Sequence, residues 1–180
     1  MTEIRQARAD DFFPWLTLYE DYATFYHAPI TDERAVQTWQ WITNGEYGLR
    51  AFVVEDPDAD AAAGTPSLIA LAHVRTIAQP LEGTTALYLD DLYVAESARG
   101  RGVASDILAF LRDLARSEGH SGVSWITAAD NETAQRVYDR LATRTTWVTY
   151  EMSVGPRTHG THSEHSEHNE PDETAPTGAS

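Results

Sequence analysis

Tyr88-Leu-Asp-Asp-Leu-Tyr-Val94, followed closely by Arg99-Gly-Arg-Gly-Val-Ala104, is the stretch whose reading decides the fold. Its first part reads as a half-buried strand, and its second as a glycine-rich turn. Beyond the turn, Val103, Ile107, Leu111 and Leu114 recur at the spacing of an amphipathic helix. A strand that passes through such a turn into a helix start builds an anion cradle. The first N–H groups of a helix have no intrahelical acceptor and point outward. Gly100 and Gly102 let the backbone approach a phosphate or pyrophosphate closely, and Arg99 and Arg101 add fixed positive charge. The turn lacks the lysine and hydroxyl of an NTP-binding P-loop, and also the Gly-x-Gly-x-x-Gly of a dinucleotide site. Asp90 and Asp91 set two carboxylates within reach of whatever a phosphate-bearing molecule delivers.

Around this segment the chain reads as one α/β domain over residues 1–154. Thr2–Ala7 is a short first strand. A helix capped at Asp10 or Asp11, with Pro14 in its first turn, reaches about Tyr26. A second helix opens after Thr31-Asp-Glu-Arg and stops at Asn44-Gly45. Strands follow at Leu49–Glu55, Leu68–Ile77 and Ala86–Val94, the last two an antiparallel pair joined around Pro80–Gly83. Asp56–Pro66 is a turn-rich connection. A helix from about Arg101 to Glu118, a strand at Gly122–Thr127, a helix capped by Asp130-Asn131 that reaches Leu141, and a last strand at Thr146–Val154 complete the order. Strands cluster in the middle and alternate with helices only afterwards, so the expected class is α/β with a mixed sheet.

Composition bounds the function. The chain has 180 residues, 42% hydrophobic, enough for one sizeable core. There is no cysteine, which removes disulfides, thiolate metal sites and cysteine nucleophiles together. The formal charge is −15, and every basic residue is arginine. A field of that sign repels nucleic acid and anionic membranes and favours cationic ligands. No apolar run is long enough to span a membrane, and no signal-peptide pattern opens the chain, so a cytoplasmic location is expected. Residues 155–180 hold no large apolar side chain and read as a disordered His/Glu-rich tail. His159, His162, His165 and His168 repeat there at a spacing of three. Such imidazoles suit Zn²⁺ or Ni²⁺, but a closed site needs a folded frame, so no metal is expected to be required.

Taken together, Leu-Asp-Asp-Leu-Tyr-Val, Arg99-x-x-Gly102-x-Ala104 and Asn131-x-x-Ala-x-x-x-Tyr138 resemble the GNAT superfamily of N-acetyltransferases, most closely its spermidine/spermine (diamine) acetyltransferase-like branch. The resemblance is carried by residues 86–154. It implies the acyl-CoA N-acyltransferase fold, with a central strand pair splayed around the pantetheine arm of acetyl-CoA. It further implies that Leu92, Tyr93 and Val94 offer backbone groups to the pantetheine and thioester. The pyrophosphate would then rest on the amides of Arg99, Gly100, Arg101, Gly102, Val103 and Ala104. Asn131 would contact the coenzyme, although an asparagine there also caps a helix.

The resemblance assigns the base to Asp90, one methylene shorter than the usual glutamate, which favours a proton relay through water. A primary alkylamine, with a pKa near ~10, is mostly protonated at neutrality and needs that help to attack. Tyr138 matches the family tyrosine that protonates the departing thiolate. In an unbroken strand Asp91 points to the opposite face from Asp90 and reads as structural, whereas a local bulge would alter that.

The stripe Phe12, Trp15, Tyr19, Tyr22, Tyr26 has core spacing. Tyr22, Phe25, Tyr26 and Tyr47 are the aromatic candidates for an acceptor pocket, offering faces to a cation. His27 and His73 carry no assignment, and His120 reads as a helix-end residue. The expected activity is direct acetyl transfer from acetyl-CoA to a primary amine of a small molecule such as a polyamine, an amino acid or a related metabolite. Dimers are common in that branch. A non-catalytic acyl-CoA sensor and a peptide or protein N-acetyltransferase are the alternatives on the same fold.

Overall fold

The computed structural model describes residues 3–56 and 67–155. The chain divides into Met1–Arg144 and Thr145–Ser180. In the first unit, the order is β1 (Ile4–Gln6), α1 (Phe12–Phe25), α2 (Asp32–Asn44), β2 (Arg50–Glu55), β3 (Leu68–Gln79), β4 (Thr84–Val94), α3 (Val103–Ser117), β5 (Val123–Ser124) and α4 (Glu132–Leu141). The strands form one sheet in the order β1-β2-β3-β4-β5. Neighbours are antiparallel except β4 and β5, which run parallel, so the sheet is mixed as the sequence predicts.

Strands β2 and β3 read as near-continuous apolar runs because both faces of the sheet are covered. On one face, Phe52, Ala72, Val74 and Leu89 pack with Ile107 and Leu111 of α3. On the other, Val53, Leu71 and Tyr93 pack with Trp15 and Leu18 of α1 and Ile42 of α2. The apolar stripe of α3 is thus a core face, with Val103, Ile107 and Leu111 buried and Leu114 packed at the edge. Helix α2 has the ends its sequence announces. Thr31 caps its first turn by accepting from the Arg34 amide, and Gly45 ends it in the left-handed region at φ 66°.

The start of α1 departs from its expected cap. Asp11 caps no amide of α1; its fully buried carboxylate takes the Arg8 amide in the turn before it and a two-pronged contact from Arg5 at 2.6 and 2.8 Å. Burial acts to raise its pKa, but these donors hold it below the usual value. Replacing Asp11 with alanine strips the mostly buried Arg5 of its principal partner and is expected to cost about 2–4 kcal/mol in urea unfolding. In the wild type, this contribution is present above the unfolded carboxylate pKa of ~3.9 and lost as pH falls through the lower folded value. A pH series of unfolding curves measures it.

Two expectations are corrected. The strand placed at Gly122–Thr127 pairs only over Val123–Ser124. The final strand placed at Thr146–Val154 is absent: residues 145–155 form no strand and no ladder among the described residues, and Trp147, Tyr150, Met152 and Val154 are exposed. Alternating apolarity supplies a face, whereas a strand also needs an edge whose N–H and C=O groups it can satisfy. The tail from 156 onward and most of the connection after Asp56 lie outside the described residues.

Candidate active site

The site begins with an interrupted ladder. Strand β4 pairs with β3 along its whole length but with β5 only at Leu87 and Tyr88. From Leu89 onward, its far edge has no strand partner among the described residues. The Ala95 amide reaches the Ile69 carbonyl at 2.8 Å, whereas the Val94 carbonyl is met by Arg99 Nε–H at 3.2 Å. By the two-residue alternation of a strand, Val94 and Leu92 direct their backbone groups to the open edge, and Tyr93 directs its own to β3. Of the three residues expected to offer backbone contacts, two face the gap. Tyr93 contributes its ring to the α1 side instead.

The turn after β4 has the expected shape. Gly100 and Gly102 both lie at positive φ, 77° and 87°, which non-glycine residues adopt at a cost. Gly102 sits immediately before α3, and no side chain caps that helix end. A Cβ at either glycine would meet nothing within 4 Å, so the space in front of both is open. The first-turn amides of Val103 and Ala104 follow directly, and they suit a bound anion. Arg99 does not simply project into solvent. Its guanidinium lies 5.7 Å from the centroids of both Phe25 and Tyr93, pinning the turn to α1 and β4.

A β-bulge decides the placement of the carboxylates. His73 pairs with Asp91 and Val74 with Leu89, leaving Asp90 as the extra residue. Asp91 therefore does not point away from Asp90, as it would in a regular strand. Asp90 takes the Arg75 Nε–H on both oxygens at 3.0 Å, and Asp91 pairs with His73. Positions 73 and 75 share one face of β3, the α1 face. Burial lifts the Asp90 carboxyl above its ordinary pKa, Arg75 opposes that, and the Asp91 charge adds to it. Asp91 lies below its ordinary value: burial would raise it, but the hydrogen bond from His73, with the Tyr22 hydroxyl nearby, overcomes that effect. Two adjacent carboxylates with separated proton affinities are the arrangement that acid–base chemistry uses.

Aromatic rings wall this face. Tyr22 contacts the rings of Tyr19, Tyr26 and Tyr93, while Phe25 meets Tyr26 edge-on. The structure thus gathers Tyr22, Phe25 and Tyr26. Tyr47 stands apart from them, on the connection before β2, with its ring against Trp41. The stripe on α1 serves both readings, with Trp15 in the core and Tyr22 at the carboxylates.

Tyr138 is half-buried on α4, edge-on to Trp125 at 5.2 Å. Burial raises its pKa. Asn131 is the N-cap of α4: its Oδ1 accepts from the Ala134 amide at 3.2 Å, leaving the amide nitrogen as the donor for other work. His120 is not a bare cap. Gly119 takes the left-handed conformation, and the His120 ring bonds to Thr85 and Glu118. Sequence alone leaves His73 unassigned, its one signal being a lone histidine inside the apolar run Leu-Ile-Ala-Leu-Ala-His-Val, and it places Trp15 in the core, where the structure has it.

Comparison with known proteins agrees with this architecture. The chain is 29% identical over 140 residues to the D-amino-acid N-acetyltransferase HPA3 of Saccharomyces cerevisiae (strain ATCC 204508 / S288c), covering 76% of this chain and 81% of that one. A solved structure of a probable acetyltransferase superposes with a TM-score of 0.73 at 22% identity, covering 86% of this chain and 99% of that one. AAC(6')-Iy in complex with the bisubstrate analogue CoA-S-monomethyl-acetylneamine superposes with a TM-score of 0.69 at 17% identity, covering 85% and 98%. The family model for acetyltransferases of the GNAT type matches residues 15–142, a span from the buried tryptophan of α1 to the residue after α4. The chain is a member of the acetyltransferase (GNAT) family.

Proposed function

We propose that this protein transfers an acetyl group from acetyl-CoA directly to the primary amine of a small molecule, such as a polyamine, an amino acid or a related metabolite. The observation that carries the proposal is the bulge at Asp90. It turns two carboxylates toward one aromatic-walled face beside the open edge of β4. An ammonium group is drawn there by charge and by the ring faces.

The open turn at Gly100–Ala104 fits a pyrophosphate, and the exposed backbone of Leu92 and Val94 fits an extended amide-bearing arm. Acetyl-CoA supplies an acetyl group activated as a thioester. Asp90 takes a proton from the bound ammonium, directly or through one water, and frees the nitrogen lone pair. A backbone amide on the open edge of β4 faces the carbonyl oxygen as negative charge gathers on it. Tyr138, kept protonated by burial, donates its phenolic proton to the leaving sulfur. As the C–N bond forms and the C–S bond breaks, the attacking nitrogen gives its second proton to solvent, tyrosinate takes one back and protonated Asp90 releases its own, so that one net proton leaves with the amide and coenzyme A thiol.

The affinity of this chain for the diamine branch rests on the Leu-Asp-Asp-Leu-Tyr-Val strand, while the likeness to HPA3 favours amino acids. A thiol-release assay over polyamines, D- and L-amino acids and aminoglycosides decides among them. Turnover with at least one amine is expected, with coenzyme A raising the thermal midpoint. Failure of every amine together with no stabilisation by coenzyme A overturns the proposal.

A further inference from the structure

The most deeply buried polar group beside the site belongs to His73, which is 1% exposed in the middle of β3. Trp15, fully buried on α1, donates its indole N–H to His73 Nε2 at 2.8 Å. An indole nitrogen can only donate, so Nε2 must present a lone pair. The remaining ring proton then sits on Nδ1, which is 2.8 Å from Asp91 Oδ2. Tyr19 packs edge-on against the imidazole at 5.3 Å and closes the other side. Among the described residues, no buried side-chain nitrogen or oxygen lacks a partner, so this chain of bonds is complete.

We infer that His73 is a positioning residue for acetyl transfer: with Nε2 accepting from Trp15 and the ring proton on Nδ1, it holds Asp91 as a permanent anion. Asp91 then anchors the acceptor ammonium and keeps the neighbouring Asp90 a strong enough base. The inference rests on the amine-acetyltransferase reading of the site. Its physical basis is a division of labour. One carboxylate with a fixed donor, His73 Nδ1–H, remains charged, and the other carries the proton. Among the described residues, the groups facing the pair are His73 and Arg75 from β3 and Tyr19 and Tyr22 from α1, and no second histidine among them competes for the role.

The tautomer is read without any substrate. Long-range proton–nitrogen correlation on the labelled full chain, with His73 assigned by its loss in His73→Asn, should show Nδ1 protonated and Nε2 bare at neutral pH. A proton on Nε2 overturns the inference, whatever the enzyme acetylates. The role is read from the acid limb of kcat/KM for the amine, which belongs to the coupled carboxylates. His73→Leu removes the donor and should move that limb upward by about one pH unit, a roughly tenfold loss on its acid side.

His73→Asn keeps an N–H toward Asp91 and should restore the limb. Trp15→Phe frees Nε2 but leaves the donor to Asp91, so it should not move the limb upward. Equal limbs in wild type and His73→Leu, or the same shift in all three variants, reduce His73 to a packing residue. Absence of turnover with every amine in the wild type fails the reaction, a result distinct from a wrong tautomer.

Discussion

Replacing Asp90 with asparagine is expected to lower kcat/KM for the amine acceptor by about 10²–10⁴-fold, the range of a lost general base. Asparagine keeps the size of the side chain and can still face Arg75, whose guanidinium is half-exposed and stacked on Tyr88. The loss therefore falls on proton transfer rather than on folding. Its pH signature separates it from a binding defect. Burial and the Asp91 charge place the Asp90 carboxyl above the usual carboxylate range. Wild-type kcat/KM should accordingly fall as pH drops through that raised value, because a protonated Asp90 accepts nothing. In the variant this limb should vanish, leaving only the steady rise as the free amine itself loses its proton at high pH. A rate within threefold of wild type, with the limb intact, would assign the base elsewhere. Asp91→Asn is then the next variant to measure.

Tyr138→Phe is expected to lower kcat by about 10–10²-fold, with a much smaller change in KM for the amine. The phenol ring packs on Trp125, and phenylalanine preserves that contact, so stability should change by less than about 1 kcal/mol. Because burial raises the Tyr138 pKa, the donor stays protonated beyond the pH at which a free tyrosine starts to ionise. No basic limb from this residue is expected below about pH 10. Single-turnover kinetics with preformed acetyl-CoA complex isolates the chemical step. An unchanged kcat there would mean that the thiolate leaves without help from this side chain.

Much of the scaffold is legible in the chain because its signals are local. The heptad-like run from Val103 to Leu114 buries a stripe whatever it packs against. Thr31 and Gly45 delimit α2 through hydrogen bonds and a left-handed φ confined to one turn. Gly100 and Gly102 announce positive φ, and both show it. Three strands of the middle sheet follow from β-branched and aromatic runs bounded by turn residues. The misreading at Thr146–Val154 has the opposite cause. Its apolar alternation is as regular as that of β4, yet pairing depends on a free edge elsewhere in the molecule, which alternation cannot report.

The site divides along the same line. By itself the sequence determined the half proposed to hold the donor: the glycine turn, the helix that follows and the strand before it are contiguous, so their geometry is set by neighbours in the chain. It also placed both aspartates at the end of that strand. Only the tertiary structure decided which way they face, since a bulge exists by virtue of the register between β3 and β4. The same holds for the histidine and tryptophan behind Asp91, which are 58 residues apart in the chain and meet through one hydrogen bond. Local conformation is encoded by adjacent side chains. The protonation and orientation of a buried group are set by partners that only folding brings within hydrogen-bonding distance.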